Sequence, residues 1–200
     1  YDTDAQKACQ FFMLRIESSG DDGKLYYGSQ LSEIYIKGDV VQKTENIGVD
    51  LDDHISGINT SATTVVGYNG NEGVENLFDG DTSTKLFTNT ATPCSIAWTM
   101  KESTSLYSYT LTTANDNATF KNRSMKWVLY GSNDGNNWDV IDRVNDSGIM
   151  DVNYADYTYI VDNVGSYKHF KLTVTEGYGN SFQLSEISLK GCALLLENEF

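Results

Sequence analysis

A series of short runs rich in β-branched and aromatic residues, separated by turn residues, most constrains how this chain can fold. From about Asn59 onward the runs recur at the spacing of β-hairpins. No amphipathic pattern long enough for a helix of about ten residues interrupts them. The spacing therefore predicts an antiparallel all-β sandwich or barrel. The predicted strands cover residues 95–100, 106–112, 126–131, 138–142, 157–161, 169–175 and 182–190.

The amino-acid composition supports a globular fold dominated by strands. The 200 residues include 13 Tyr, 8 Phe and 3 Trp but a single Pro, and aromatic residues favour strands over helices. The length fits one ordinary domain with an additional segment. No run of 18 apolar residues predicts a membrane-spanning helix, and no charged and then apolar leader opens the sequence, so we expect a soluble, mature fragment.

The charge of the chain disfavours phosphate-rich partners. Fourteen Lys and Arg stand against 28 Asp and Glu, which gives a net charge of -14, and no basic cluster interrupts the acidic excess. Nucleic acid and anionic lipid surfaces need a positive patch that this sequence lacks. The composition suits cations and neutral ligands instead.

A nonamer is repeated at a distance of about one domain length. The sequence QLSEIYIKG at residues 30–38 returns as QLSEISLKG at residues 183–191, and the strand-like run 12–16 matches the run 170–174. The separation of about 150 residues indicates repeated domains. We therefore interpret residues 1–38 as the C-terminal remnant of a preceding copy, 39–58 as a solvated linker, 59–192 as an intact domain and 193–200 as a tail.

The remnant has a structural consequence of its own. Its predicted strands, 12–16 and 31–36, carry apolar faces whose sandwich is absent from this chain. Unpaired strand edges seek partners. We expect this extra N-terminal β segment to pack on the intact domain or to mediate self-association.

An acidic turn at residues 76–84 is a candidate cation site. Asp79 and Asp81 flank Gly80, and the Thr84 hydroxyl follows, so several oxygens can point to one place. Calcium prefers such oxygen ligands, although an ordinary Asp-Gly turn between strands has the same sequence. Glu186 favours the metal, because a carboxylate among the apolar residues of a closing strand needs a partner.

An ordered set of motifs resembles a known family. The motifs are NEGVENLFDGD at 71–81, AND at 114–116, WVLYGSNDGNNW at 127–138 and QLSEI at 183–187. In this order they resemble the discoidin or coagulation factor V/VIII type C domains, and in particular the family 32 carbohydrate-binding modules, over residues 67–191. The resemblance implies an antiparallel eight-stranded jelly-roll β-sandwich of the galactose-binding-domain-like type. It also implies an accessory module beside glycoside hydrolases or on other exported and cell-surface proteins.

The resemblance further implies a structural calcium ion between the acidic turn and the final strand. It assigns side-chain oxygens to Asp79, Thr84 and Glu186, and backbone oxygens to Asn76, Asp81 and Ser185.

The sequence departs from the family pattern in two places. Leu86 and Phe87 stand where a tryptophan usually follows the turn, and Met125 replaces a proline between the retained Arg123 and Trp127. These changes affect the expected ligand specificity more than the fold.

The loops at one end of the sandwich are the predicted ligand site, because lectin-like members of the family bind sugars there. Three loops, 87–95, 113–124 and 176–182, combine aromatic and polar residues, and an aromatic side chain on a surface loop is not explained by strand packing. Alternatives remain open: Phe182 can belong to the core, and Asn122 and Asn180 are ordinary turn residues. The candidates are Phe120, Asn122, Arg123, Tyr178, Asn180 and Phe182.

The sequence predicts binding without catalysis. His54 and His169 have no neighbouring nucleophile or metal-ligand pattern, and the carboxylates fall in turns and in the metal motif. The three cysteines can form at most one disulfide. We expect a secreted or cell-surface module that binds terminal galactose-type or N-acetylhexosamine sugars weakly and multivalently, as part of a larger protein. The alternatives are a protein-binding adhesion domain of discoidin type and a structural spacer.

Overall fold

The computed structural model describes residues 48–58, 66–119, 124–177 and 181–193. The predicted N-terminal remnant, residues 1–38, lies outside these ranges, and so do residues 194–200 of the predicted tail. The predictions for those segments, including self-association, therefore stay predictions.

The described residues form strands joined by loops and three short 3-10 helices. The helices are Asp52–His54, Val74–Phe78 and Asn117–Thr119. The strands are β1 (Val49–Asp50), β2 (Ile55–Ile58), β3 (Leu86–Thr88), β4 (Cys94–Thr112), β5 (Lys126–Ser132), β6 (Asp139–Val144), β7 (Asp156–Ile160), β8 (Ser166–Glu176), β9 (Phe182–Leu184) and β10 (Glu186–Ala193).

The long strand β4 organises the sandwich. Its first part pairs with β2 and β8, and its second part pairs with β10 and β7. The resulting sheet has the order β1-β10-β4-β8-β5-β6, with β2 and β7 also on β4, and β3 pairs separately with β9. Every pairing is antiparallel. The prediction of an all-β antiparallel sandwich is confirmed.

Two strand boundaries differ from the sequence prediction. Residues 95–100 and 106–112 belong to one strand, β4, because the polar segment between them stays extended, and the register shifts between Thr99 and Thr104. The predicted strand 182–190 is divided at Ser185, whose backbone N–H donates to the Thr112 carbonyl at 2.8 Å. β9 therefore pairs with β3 and β10 pairs with β4.

Residues 48–58, which were predicted to belong to a solvated linker, are part of the sandwich. β1 pairs with β10, β2 pairs with β4, and Leu51 is fully buried in the core. Strands of two and four residues are too short to show a periodic pattern. The aspartates around Leu51 make the segment look solvent-exposed, so its place in the core was not predicted. One of them, Asp52, accepts a hydrogen bond from the Leu189 backbone N–H at 2.9 Å.

The core is aromatic and continuous between the strands. Trp98 of β4 stacks on Phe170 of β8 with ring centroids 5.9 Å apart. Trp98 also packs against Phe78, and the centroids of these two rings are 5.4 Å apart. Because Phe78 ends the 3-10 helix before the acidic turn, this packing fixes the turn against the sandwich. Among the described residues, no helix is long and apolar enough to cross a bilayer.

Candidate functional site

The acidic turn begins where a short 3-10 helix ends. Leu77 in the helix Val74–Phe78 is fully buried and anchors it, and Asp79 is its C-terminal cap. Gly80 follows with a φ of 74°, a conformation that favours glycine. The predicted need for glycine at this position therefore has a backbone cause.

Hydrogen bonds within the turn hold its oxygen atoms close together. Asp79 accepts from the Asp81 backbone N–H at 2.8 Å and from the Thr84 hydroxyl at 2.8 Å. The same hydroxyl lies 2.9 Å from the Asp81 carbonyl oxygen. Asn76 braces the segment, since its side-chain amide donates to the carbonyl oxygens of Asn71 and Lys85. Side-chain and backbone oxygens of the predicted metal ligands thus lie together.

Glu186 brings a further carboxyl group to the turn. It begins β10 opposite Thr112 and is only 6% exposed. Burial, together with a hydrogen bond to Asp79 and the charge of Asp79, raises the pKa of Glu186 to about 8. Its Oε1 atom is buried without a hydrogen-bond partner among the described residues.

This arrangement fits a hard cation on the chemistry of its oxygens. Because Glu186 is buried beside the exposed carboxyl group of Asp79, it must hold a proton or be paired with a positive charge. The neighbouring Ser185 is fully buried and its hydroxyl also has no partner within the described ranges. Those ranges contain no cluster of three or more His, Cys, Asp or Glu side chains suited to a metal. The predicted ligand set is of another kind, because only Asp79 and Glu186 contribute charged oxygens.

The structure describes one of the six predicted sugar-binding residues. Phe182 lies in β9 opposite Thr88 and is 2% exposed, within the core. Its ring is therefore not an exposed platform, and the alternative assignment to the core is the one that the structure shows. The other five lie outside the described residues: Phe120, Asn122, Arg123, Tyr178 and Asn180.

A cleft lies between two of the predicted ligand loops. The space that it encloses is about 10 Å³, which is room for about one water molecule. The lining combines apolar groups with buried amides and hydroxyls. The lining residues are Asn117, Ser124, Met125, Met150, Ser181, Phe182 and Gln183.

Buried amides hold the walls of this cleft. The Gln183 side chain donates to Asn117 Oδ1 at 2.7 Å and also to the Asp116 carboxylate. Asn117 accepts from the Ala114 backbone N–H and donates to the Met150 carbonyl at 2.7 Å. The amides of Gln183 and Asn117 therefore fix the loops rather than face a ligand.

Lys85 completes the same network beside the cleft. Its ammonium group lies 3.0 Å from Asn115 Oδ1, 3.4 Å from Asp116 Oδ2 and 3.3 Å from Gln183 Oε1. Sequence reasoning did not find Lys85, Met150 or Gln183 as parts of the site. Their contacts join segments far apart in sequence, so no local sequence pattern predicts them.

Both histidines have structural partners. His54 Nδ1 lies 3.3 Å from Glu102 Oε2, and His169 Nδ1 lies 2.9 Å from the Thr99 hydroxyl. The described cysteines, Cys94 and Cys192, are unpaired, and Cys94 is buried.

Comparison with solved structures identifies the fold. The module CpGH89CBM32-5 of Clostridium perfringens, solved with GalNAc-β-1,3-galactose, is 20% identical and aligns over 72% of this chain and 100% of its own, with a TM-score of 0.55. The family 32 module of NanJ from the same organism, solved with galactose, is 16% identical over 72% of this chain and 98% of its own, with a TM-score of 0.55.

A third solved structure agrees. The family 32 module of AlyQ, solved with 4,5-unsaturated mannuronic acid, is 15% identical over 70% of this chain and 97% of its own, with a TM-score of 0.53. The chain has the fold of the family 32 carbohydrate-binding modules. The resemblance read from the sequence motifs is thereby confirmed for the fold. No protein-family model matches the chain, and no curated protein matches it.

Proposed function

We propose that this chain is a non-catalytic carbohydrate-binding module for terminal galactose-type or N-acetylhexosamine sugars. The observation that carries the proposal is the fold, whose solved examples hold sugars, and the small cleft marks the end of it where loops 113–124 and 176–182 meet. The predicted contacts Arg123 and Tyr178 belong to the two loops that border the cleft.

The charge of the protein favours a neutral sugar. A net charge of -14 repels an anionic ligand, and no basic cluster offsets it. The solved neighbours bind both kinds, since two hold neutral sugars and the AlyQ module holds an unsaturated uronic acid. For this chain we favour the neutral class.

The binding is weak at a single site. An aromatic ring and a few hydrogen bonds replace contacts that water already makes, so the dissociation constant is on the order of 0.1 to 1 mM. Repetition of the module raises the avidity without new contacts, and the repeated nonamer is consistent with this. We place the module in an exported or cell-surface protein of several domains, some solved neighbours being parts of glycoside hydrolases.

We also propose that calcium stabilises the sandwich at the acidic turn. Side-chain oxygens of Asp79, Thr84 and Glu186 would hold the ion, together with backbone oxygens of Asn76, Asp81 and Ser185. The bound ion supplies positive charge that lets the buried Glu186 ionise beside Asp79. The unpartnered Glu186 Oε1 atom supports this proposal. The role is structural, because the turn and the final strand are joined there.

A glycan array on the purified chain tests the sugar class, followed by titration calorimetry against galactose, lactose and N-acetylgalactosamine. Tyr178→Ala and Arg123→Ala should each abolish measurable binding. Ile160→Ala is the control, since Ile160 is exposed on β7, away from the predicted ligand loops. If no sugar binds at millimolar concentration while a protein partner does, the adhesion alternative replaces this proposal. Turnover of a glycoside would contradict the absence of catalysis.

A further inference from the structure

The loop between β6 and β7 exposes an unusual group of apolar side chains. Ile149, Val152 and Tyr154 are 56%, 55% and 51% exposed. Of the eight large apolar side chains that are exposed within the described ranges, these three lie within six residues of one another. Single exposed apolar residues are ordinary, but a local group of them marks a binding surface more often.

Tyr154 has a backbone conformation that disfavours tyrosine. Its φ is 53°, and it is the sole non-glycine residue with a positive φ in the part of the chain that the structure describes. Left-handed backbone is costly for a bulky side chain and is normally occupied by glycine or asparagine. The Tyr154 ring stacks on no other described ring, and its hydroxyl has no hydrogen bond to a described residue. Folding therefore gains little from a tyrosine here, and strain of this kind is concentrated at functional sites.

The loop is held rigidly against the proposed sugar-binding end. The Asn153 side chain accepts from the Ala118 backbone N–H at 2.7 Å and donates to the Asn115 carbonyl at 2.6 Å. The Thr113 hydroxyl bonds to the Val152 carbonyl and accepts from the Ala155 N–H at 2.8 Å. Tyr154 thus stands on a scaffold that is fixed to the 113–119 segment, which reduces the entropy lost when a ligand binds.

The same loop also forms part of the cleft. Met150 lines the cleft, and its carbonyl oxygen is bonded to Asn117. Tyr154 follows Met150 by four positions, so their Cα atoms are at most about 14 Å apart. A ligand bound at the proposed sugar-binding end that continues along this loop therefore reaches the exposed apolar group.

We propose that Ile149, Val152 and Tyr154 form an outer subsite, which contacts the second sugar residue of a neutral glycan whose terminal residue is bound at the proposed sugar-binding end. The exposed ring offers its face to the apolar C–H face of a sugar. Asp151 is the single charged side chain at residues 147–154, which suits a neutral chain. This inference rests on the proposed function, and it adds a preference for oligosaccharides over monosaccharides.

Titration calorimetry with N-acetylgalactosamine and with GalNAc-β-1,3-galactose tests the subsite. The wild-type chain should bind the disaccharide about threefold to tenfold more tightly than the monosaccharide. Tyr154→Gly should remove this difference and leave monosaccharide binding unchanged, whereas Tyr154→Phe should retain it. Because glycine suits the backbone at this position, Tyr154→Gly should melt at the wild-type temperature or above.

The outcomes separate this inference from the proposed function. If the wild-type chain binds neither sugar, the proposed function fails and the subsite fails with it. If it binds both sugars with equal affinity, or if Tyr154→Gly keeps the disaccharide preference, the subsite alone is wrong. An equal loss of both sugars, or a melting temperature several degrees lower in Tyr154→Gly, would show that Tyr154 supports the loop and would overturn the assignment.

Discussion

The hydroxyl of Tyr109 donates to the carboxylate of Asp142 at 2.5 Å and accepts from Trp127 Nε1 at 2.7 Å. All three side chains are buried, and they belong to β4, β5 and β6. Burial raises the pKa of Asp142, while the hydrogen bond from Tyr109 lowers it. A polar network inside an apolar core stabilises only while each member keeps its partner.

Tyr109→Phe should therefore destabilise the domain. The substitution keeps the ring but leaves Trp127 Nε1 without its acceptor and Asp142 without this donor. Leaving buried polar groups unpaired costs about 1–3 kcal/mol of unfolding free energy. Urea denaturation of the purified chain measures the loss.

Tyr159→Phe is the matched control for this network. The Tyr159 ring stacks on Tyr109 at 5.5 Å and meets the edge of Trp127 at 4.8 Å, but its hydroxyl has no hydrogen bond to any described residue. Removing that hydroxyl should change the unfolding free energy by less than about 0.5 kcal/mol. Equal losses in the two variants would mean that the Tyr109 hydroxyl network contributes no special stability.

Calcium should raise the melting temperature of the wild-type chain. An ion that binds only the folded state stabilises it by about 2.7 kcal/mol at one hundred times its dissociation constant, which corresponds to about 5 to 10 °C. Asp79→Ala and Glu186→Gln should abolish the rise. Differential scanning calorimetry with calcium and with a chelator measures it.

Asp81→Asn is the control within the same turn. The side chain of Asp81 accepts from the Ser83 backbone N–H at 2.9 Å, and only its backbone oxygen belongs to the proposed ligand set. Asparagine keeps that acceptor, so this variant should retain the calcium effect. A wild-type melting temperature that is the same with calcium and after complete removal of the ion would support an ordinary Asp-Gly turn instead.

The stability of the calcium-free chain should depend on Asp52 in mildly acidic solution. Burial, opposed by the hydrogen bond from Leu189 and aided by the charge of Asp50, raises the pKa of Asp52 from 3.8 to about 6. The folded state thus holds a proton that the unfolded state has released. The stability from this group is complete below about pH 4 and is lost as the pH rises through about 6.

Asp52→Asn isolates this effect. Asparagine keeps an oxygen acceptor for the Leu189 N–H but does not ionise. The variant should equal the wild type below about pH 4 and become the more stable of the two above about pH 6. Urea denaturation of both proteins in one chelator-containing buffer series tests this, and a difference that stays constant across the series would contradict it.

Much of the fold could be predicted from local sequence patterns. β-branched and aromatic runs marked β5, β7 and β8 because each is long enough to show its alternation. The two-residue strand β1 showed no such pattern, and the polar segment within β4 was interpreted as a break between two strands because polar residues are typical of turns. Only pairing with distant strands defines these elements.

The candidate site was predictable only in part. The acidic turn is local, so its oxygens were found from sequence, and Glu186 was found through its unusual place in a strand. The cleft is built by contacts between distant segments, such as Gln183 to Asn117. The left-handed backbone of Tyr154 has no signature in the sequence, because tyrosine is not a residue that such a turn favours.

Titration of the isotope-labelled chain with N-acetylgalactosamine, followed by nuclear magnetic resonance, tests the central claim of sugar binding most directly. Millimolar affinities are within its range, and each amide reports its own surroundings. We predict saturable shifts at the cleft residues Ser124, Met125 and Ser181, with no shifts in β1 or β6, and the loss of these shifts in Tyr178→Ala. Spectra unchanged by N-acetylgalactosamine, galactose and lactose at tens of millimolar would contradict the assignment of this chain as a carbohydrate-binding module for such sugars.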